Sequence, residues 1–172
     1  MLPKLFFGYF SFVMIVLSLL IISRRNPIHS ILWMLVLFLH IAGLYLFLNA
    51  EFLAAVQMIL YAGAILVLFL FVIMMLNLKK EVTVERFAGD WPIPVFIGGT
   101  MLVLIFLAIA TLTHGPLGPY TIEVIQANTH AREIGGVLYT EYLLPFEVAS
   151  LILLVAVVGA IVLAKKHLKS YK

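Results

Sequence analysis

Cysteine is absent from the chain, which removes disulfide frameworks, thiolate metal sites, cysteine-held iron–sulfur clusters and thiol catalysis from what it does alone. Charge is scarce as well: Asp, Glu, Lys and Arg make up 11% of the 172 residues, against about 25% in ordinary soluble domains. What fills the chain instead is apolar: 65% of residues are hydrophobic and the mean hydropathy is +1.19. No water-soluble fold hides that much apolar surface, so lipid is the expected surrounding. The residual charge is basic, with a formal net of +3 and a pI near 9.2. These cations flank apolar runs, the pattern of membrane topology signals and not of a nucleic-acid-binding face.

Five charge-free apolar runs define the fold class: an all-α integral membrane protein with five transmembrane helices, expected as a single membrane domain over residues 1–172. The spans are placed at about 5–23, 27–50, 52–78, 91–113 and 146–164, close to the roughly 20 residues that cross a bilayer. The third is long enough to tilt or to contain an irregular turn. The first resembles a signal peptide only superficially, because Arg24 and Arg25 follow the apolar run instead of preceding it, and it is expected to be retained. Arg24, Arg25, Lys79, Lys80, Arg86, Lys165, Lys166, Lys169 and Lys172 fall on one side, and only Lys4 and Arg132 on the other. The positive-inside rule therefore puts the N-terminus outside and the C-terminus in the cytoplasm.

The connections differ in kind. Asn49, Ala50 and Glu51 make a tight hairpin, so spans two and three are antiparallel neighbours. Residues 79–90 form a charged connection, and Pro92 with Pro94 opens the fourth span. Residues 114–145 form an outer loop opened by Gly115, Pro116, Gly118 and Pro119. Its later part mixes Leu138, Tyr139, Tyr142 and Leu143 with Glu133 and Glu141, a composition suited to the membrane interface. An odd number of spans argues against the inverted repeat of many secondary transporters.

A charge at bilayer depth is costly and usually functional, yet no carboxylate lies well inside a span. Glu51 and Glu147 sit at the outer ends of spans three and five, read either as solvated helix-end residues or as members of a proton relay. His40 and Tyr61 lie about 17 and about 15 Å from the hairpin, at ~1.5 Å per residue, which is near mid-membrane. Gln57 precedes Tyr61 by four residues and so shares its helical face, giving the third span a short polar stripe inside hydrocarbon. These polar groups either hydrogen-bond neighbouring helices as packing glue or line a proton path. His29 and His40 also share a face, but His114, His130 and His167 lie in the outer loop and tail, which argues against a bis-histidine haem within the chain. Three small residues, Ala62, Gly63 and Ala64, follow Tyr61 and precede a bulky run through Phe71. Such a place tolerates a π-bulge or serves close packing. In the fifth span Ala156, Ala160 and Ala164, with Gly159 alongside, form a small-residue packing ridge.

Several segments in order resemble subunit J of NADH-quinone oxidoreductase, respiratory complex I, equivalent to mitochondrial NADH dehydrogenase subunit six. They are Asn26, Pro27, Ile28 and His29 opening the second span, residues 61–65 with the apolar run to Asn77, and residues 138–140 followed by 144–150 and the fifth span. The likeness runs from about residue 20 to 165. It implies a membrane-arm subunit of a translocase in a bacterial cell (inner) membrane, without a redox centre of its own. The partners it implies are subunits A, H and K, the antiporter-like subunits and membrane lipid. FMN, iron–sulfur clusters and quinone are expected in other subunits of the parent complex, and no cofactor or metal in this chain. It further implies that the third helix interconverts between π-bulged and regular forms, with the bulge at Tyr61 and Gly63 and with Phe69 gating a hydrated path. Such a gate needs bistability and no catalytic acid. Some family members carry glutamate where Gln57 stands, and His40 has no family counterpart, leaving it a proton-path addition, a packing hydrogen bond or neutral variation. The alternative reading is a related subunit of a cation/proton antiporter or membrane-bound hydrogenase, and a complex fed by ferredoxin or a deazaflavin is a close variant of the first.

Overall fold

The computed structural model describes residues 2–76, 92–111, 121, 124 and 128–165. The charged connection 79–90, the segment 114–120 with His114, and the basic tail with His167 lie outside the described residues. Among the described residues every regular element is helical, and five helices are long and apolar enough to cross a membrane. The chain divides into two units, Met1–Pro119 and Tyr120–Lys172.

In the first unit, α1 (Leu2–Ser23) and α2 (Pro27–Phe47) pack as a hairpin. Arg24 and Arg25 turn the chain, and Asn26 caps α2: its side-chain oxygen accepts from the Ile28 amide at 3.0 Å. Pro27 then takes the first helical position, where a missing N–H costs nothing. The hydroxyl of Ser30 donates to the Ile21 carbonyl, tying the two helices beside the turn. Farther along the hairpin, rings interleave. Phe6 and Phe47 have centroids 5.4 Å apart, and Phe10 lies 6.4 Å from Phe47.

Gly43 makes room for this cluster, since a Cβ there would lie 3.2 Å from Cε1 of Phe10 and 3.4 Å from its Cζ. Gly43→Leu is therefore expected to destabilise the α1–α2 pair by about 1–3 kcal/mol, the usual cost of overpacking a core. A lowered melting temperature of the purified protein, with Gly43→Ala falling between it and wild type, is the result to look for. An unchanged melting temperature for the leucine variant would show that the ring cluster does not constrain the pair.

α2 ends in a Schellman motif. The Ala50 amide donates to the Tyr45 carbonyl at 2.8 Å and the Asn49 amide to the Leu46 carbonyl at 3.0 Å, while Asn49 adopts φ 56°. Asparagine tolerates that left-handed geometry better than most residues, so the hairpin can close in three residues. The third span, Glu51–Met75, follows as three consecutive pieces: α3 (Glu51–Val56), a π-helix (Gln57–Ile65) and α4 (Leu66–Met75). α2 packs against all three. α5 (Pro92–Thr111) begins at the first of its two prolines and presents every residue to the surroundings.

The second unit holds α6 (His130–Thr140) and α7 (Leu143–Ala164). α6 lies within the stretch expected as outer loop. Ile134, Val137 and Leu138 recur at helical spacing there, and Asn128 donates to the Glu133 carboxylate at 2.8 Å. Glu141 and Tyr142 both donate their amides to the Val137 carbonyl, at 3.0 and 3.1 Å, and turn the chain into α7. Tyr139 meets Phe146 edge-on with centroids 5.1 Å apart. α7 starts at Leu143 and not at 146, because Pro145 sits in its first turn, where proline is tolerated.

Candidate functional site

The feature that organises the site is the π-helix, nine residues long. Such segments are rare, seldom exceed a single turn and concentrate at functional places. The sequence permits this one because Ala62, Gly63 and Ala64 put little bulk into a widened turn. Gly63 has little room to spare: a Cβ there would stand 3.2 Å from the backbone oxygen of Met58.

The π register decides which side chains meet α2. The buried residues of the third span are Ala54, Gln57, Ala62 and Leu66, so the interval between Gln57 and the next buried residue is five. A regular helix would keep intervals of three and four and would place Tyr61 and Ile65 on this face. Instead both are exposed, at 46% and 41%. Gln57 and Tyr61 consequently do not share a face, contrary to the regular-helix expectation, since the residue one π-turn beyond Gln57 is Ala62. Beyond the π-helix the same offset leaves Leu70 and Ile73 half-buried, with Phe69 on the outside.

Gln57 is the one buried polar residue among those described, at 7% exposure. Its amide makes no hydrogen bond to the described residues, yet none of its polar atoms is completely enclosed. Tyr61 meets Phe38 of α2 edge-on, centroids 6.1 Å apart. His40, two residues on from Phe38, turns toward α1: its ring lies 6.3 Å from Tyr9 and 6.4 Å from Phe10. The Nδ1 atom of His40 is 2.8 Å from the Val36 carbonyl, a back-bond within α2 that requires the proton on Nδ1. His40 and Tyr61 are thus held on different flanks of α2, His40 among the aromatic rings of the hairpin.

The remaining candidates stand apart. Glu51 is exposed at the first position of α3, where a carboxylate complements the helix dipole. In the second unit Glu147 is exposed in α7, and Ser150 donates to its backbone oxygen at 2.7 Å. Ala156, Ala160 and Ala164 are exposed along α7 with Gly159 half-buried. Ala62 and Leu66, which are buried at and just beyond the π-helix, escape a reading of the sequence because only the five-residue interval reveals them.

Five apolar spans, one of them carrying a full π-helix in its middle, define a polytopic helical membrane protein with a register irregularity at mid-span. A family model described as NADH-ubiquinone/plastoquinone oxidoreductase chain 6 matches residues 17–163, and the chain belongs to that family. The family is that of subunit J, or chain 6, of the respiratory NADH-quinone oxidoreductase, complex I. Among its relatives is the NADH-quinone oxidoreductase subunit J of Rickettsia conorii, 36% identical over 172 residues, an alignment covering 98% of this chain and 83% of that one. The NADH-ubiquinone oxidoreductase chain 6 of Chondrus crispus is 39% identical over 163 residues, covering 91% of this chain and 80% of the relative. The subunit J of Rhodobacter capsulatus is 35% identical over 167 residues, covering 94% and 81%.

Proposed function

We propose that the chain is a non-catalytic membrane-arm subunit that couples quinone reduction to proton pumping by switching the register of its third helix. The observation that carries this reading is the five-residue interval between Gln57 and Ala62 on the face packed against α2. Removing the inserted residue rotates everything downstream by about 100°, one residue's turn of an α-helix. Tyr61, Ile65 and Phe69 then swing toward α2, and Ala62, Leu66 and Leu70 swing away.

Alanine and tyrosine differ greatly in volume, so the exchange is not neutral for packing. Three of the six buried apolar residues in the described structure are alanines, namely Ala42, Ala54 and Ala62, and small residues allow close helix approach in membranes. Placing Tyr61 where Ala62 sits forces the helices apart or moves the Phe38 ring. A packed interface with two such discrete arrangements is bistable, and the polar amide of Gln57 lies one turn from the moving part. Gating a hydrated path toward ionisable groups on neighbouring subunits requires no acid of the chain's own.

In this reading the N-terminus faces outward and the C-terminus the cytoplasm of a bacterial inner membrane. Subunits A, H and K and the antiporter-like subunits are the neighbours, and FMN, iron–sulfur clusters and quinone belong to other subunits. Affinity purification through a tag on this chain, from gently solubilised membranes, is expected to bring down a large assembly that oxidises NADH. Recovery of the chain alone as a homo-oligomer, or with an assembly lacking NADH oxidation, would reject it.

A further inference from the structure

His40 stands thirteen residues after the start of α2 and seven before its end, about 10 Å inside the helix at ~1.5 Å per residue. Its Nδ1 lies 2.8 Å from the Val36 carbonyl, which can only accept, so the proton of the neutral ring is held on Nδ1. Nε2 is then a bare acceptor, on the other side of the imidazole from that bond. No group among the described residues donates to it. Nor is it completely enclosed, so a donor from outside the hairpin can reach it.

The neighbours of the ring supply no substitute. Tyr9 and Phe10 of α1 lie 6.3 and 6.4 Å away between centroids, and Phe47 packs on Phe10 from the far side of Gly43. Tyr9 is itself 54% exposed, and its hydroxyl makes no hydrogen bond to the described residues either. An acceptor on α2 and a hydroxyl on α1 thus lie side by side with no partner among the described residues. The hydroxyls of the other long helices are already engaged: Thr100 and Thr111 of α5 and Ser150 of α7 each donate to a carbonyl of their own helix. Water would satisfy Nε2 on a soluble protein. In hydrocarbon an unmet acceptor is costly, and ionisable side chains within membrane spans face other protein or a hydrated cavity, not lipid.

We propose that the Tyr9–His40 flank of the α1–α2 hairpin docks a transmembrane helix of another subunit, which donates a side-chain hydrogen bond to Nε2 of His40. Histidine is among the side chains that bond across helices in membranes. The Nδ1 back-bond specifies the chemistry of the partner, because a lone pair is met by a hydroxyl, amide or indole N–H and not by an ionised carboxylate. The inference rests on the reading of the chain as one subunit of a membrane assembly, and is independent of the register switch.

The test uses the assembled complex in native membranes, with Tyr9 replaced by the photoactivatable residue p-benzoylphenylalanine, which leaves His40 in place. Irradiation is expected to join α1 to a transmembrane peptide of another subunit that carries Ser, Thr, Tyr, Asn, Gln or Trp within one helical turn of the linked residue. Adducts with lipid alone, with another span of this chain, or with a peptide lacking such a donor would overturn the proposal. A second measurement compares His40→Leu with His40→Gln in complexes titrated with detergent. Leucine fills similar space and accepts no bond. It is expected to raise the ratio of released to retained subunit about threefold, the size of an average hydrogen bond between membrane helices. Glutamine restores an acceptor and is expected to release less than leucine. A His40→Leu complex as firmly held as wild type would overturn the proposal, and equal release of the two variants would assign His40 to ring packing and overturn it as well. If neither variant assembles, the cross-link from Tyr9 decides alone. No readout involves proton pumping, and failure to purify the chain with an NADH-oxidising assembly would reject the subunit reading separately.

Discussion

Gly63→Val in an assembled complex is expected to lower quinone-linked proton pumping about tenfold while leaving NADH oxidation by an artificial acceptor unchanged. The first added carbon would sit 3.2 Å from the Met58 backbone oxygen, and a backbone atom inside a helix has little freedom to withdraw. Valine adds two more carbons to the same crowded turn. Overpacking of this kind costs about 1–3 kcal/mol, acting here on the π form alone. That shifts the equilibrium toward the regular register, and each 1.4 kcal/mol is a factor of about ten in population. Simultaneous assays of proton uptake and of NADH oxidation on one preparation separate a jammed register from a lost complex. Full pumping by an intact Gly63→Val complex would eliminate the switch, and Gly63→Ala should give an intermediate loss if the switch is real.

The second large effect is expected at Gln57. Its side chain is nearly buried and makes no hydrogen bond to the described residues, but its polar atoms are not fully enclosed, so the condition costs about 1 kcal/mol, the low end of the range for an unsatisfied group. Gln57→Leu keeps much the same volume and removes the polar atoms, so stability against thermal unfolding should rise by roughly that amount. Pumping should fall several-fold in the same variant, because the one buried polar side chain of the π-helix would be gone. These two changes have opposite signs, which protects the experiment from ambiguity. A stabilised variant that pumps normally would assign Gln57 to packing. A destabilised variant would show that the amide satisfies a partner on another subunit, and Gln57→Glu, which keeps the acceptor oxygens, would then recover part of the loss.

Much of the molecule was legible from residue types alone because membranes impose strong local rules. Runs of apolar residues near 20 long must be helical, since a lipid-exposed backbone has no other hydrogen-bond partner, and five such runs yield five spans. Asn26 followed by Pro27 opens α2, and Asn49 closes it, through chemistry confined to neighbouring residues. The stretch holding α6 was less legible. Its apolar residues are few and its two adjacent glycines weaken a helix, yet the Asn128–Glu133 bond and contacts with α7 sustain one.

The sequence by itself determined the class of protein, the number of spans and the place where the third helix is weak, because all three depend on composition along a short window. Only the tertiary structure decided the register through that weak place. Small residues at 62–64 permit a π-turn without requiring it. It is seen in the packing face, where Ala62 is buried against α2 and Tyr61 is left exposed at its flank, and that is a property of two helices together. The same division applies to His40. Its distance along α2 from the hairpin was readable by counting, but whether it joined Gln57 or the rings of Tyr9 and Phe10 depended on how α1 and α2 are rotated against each other.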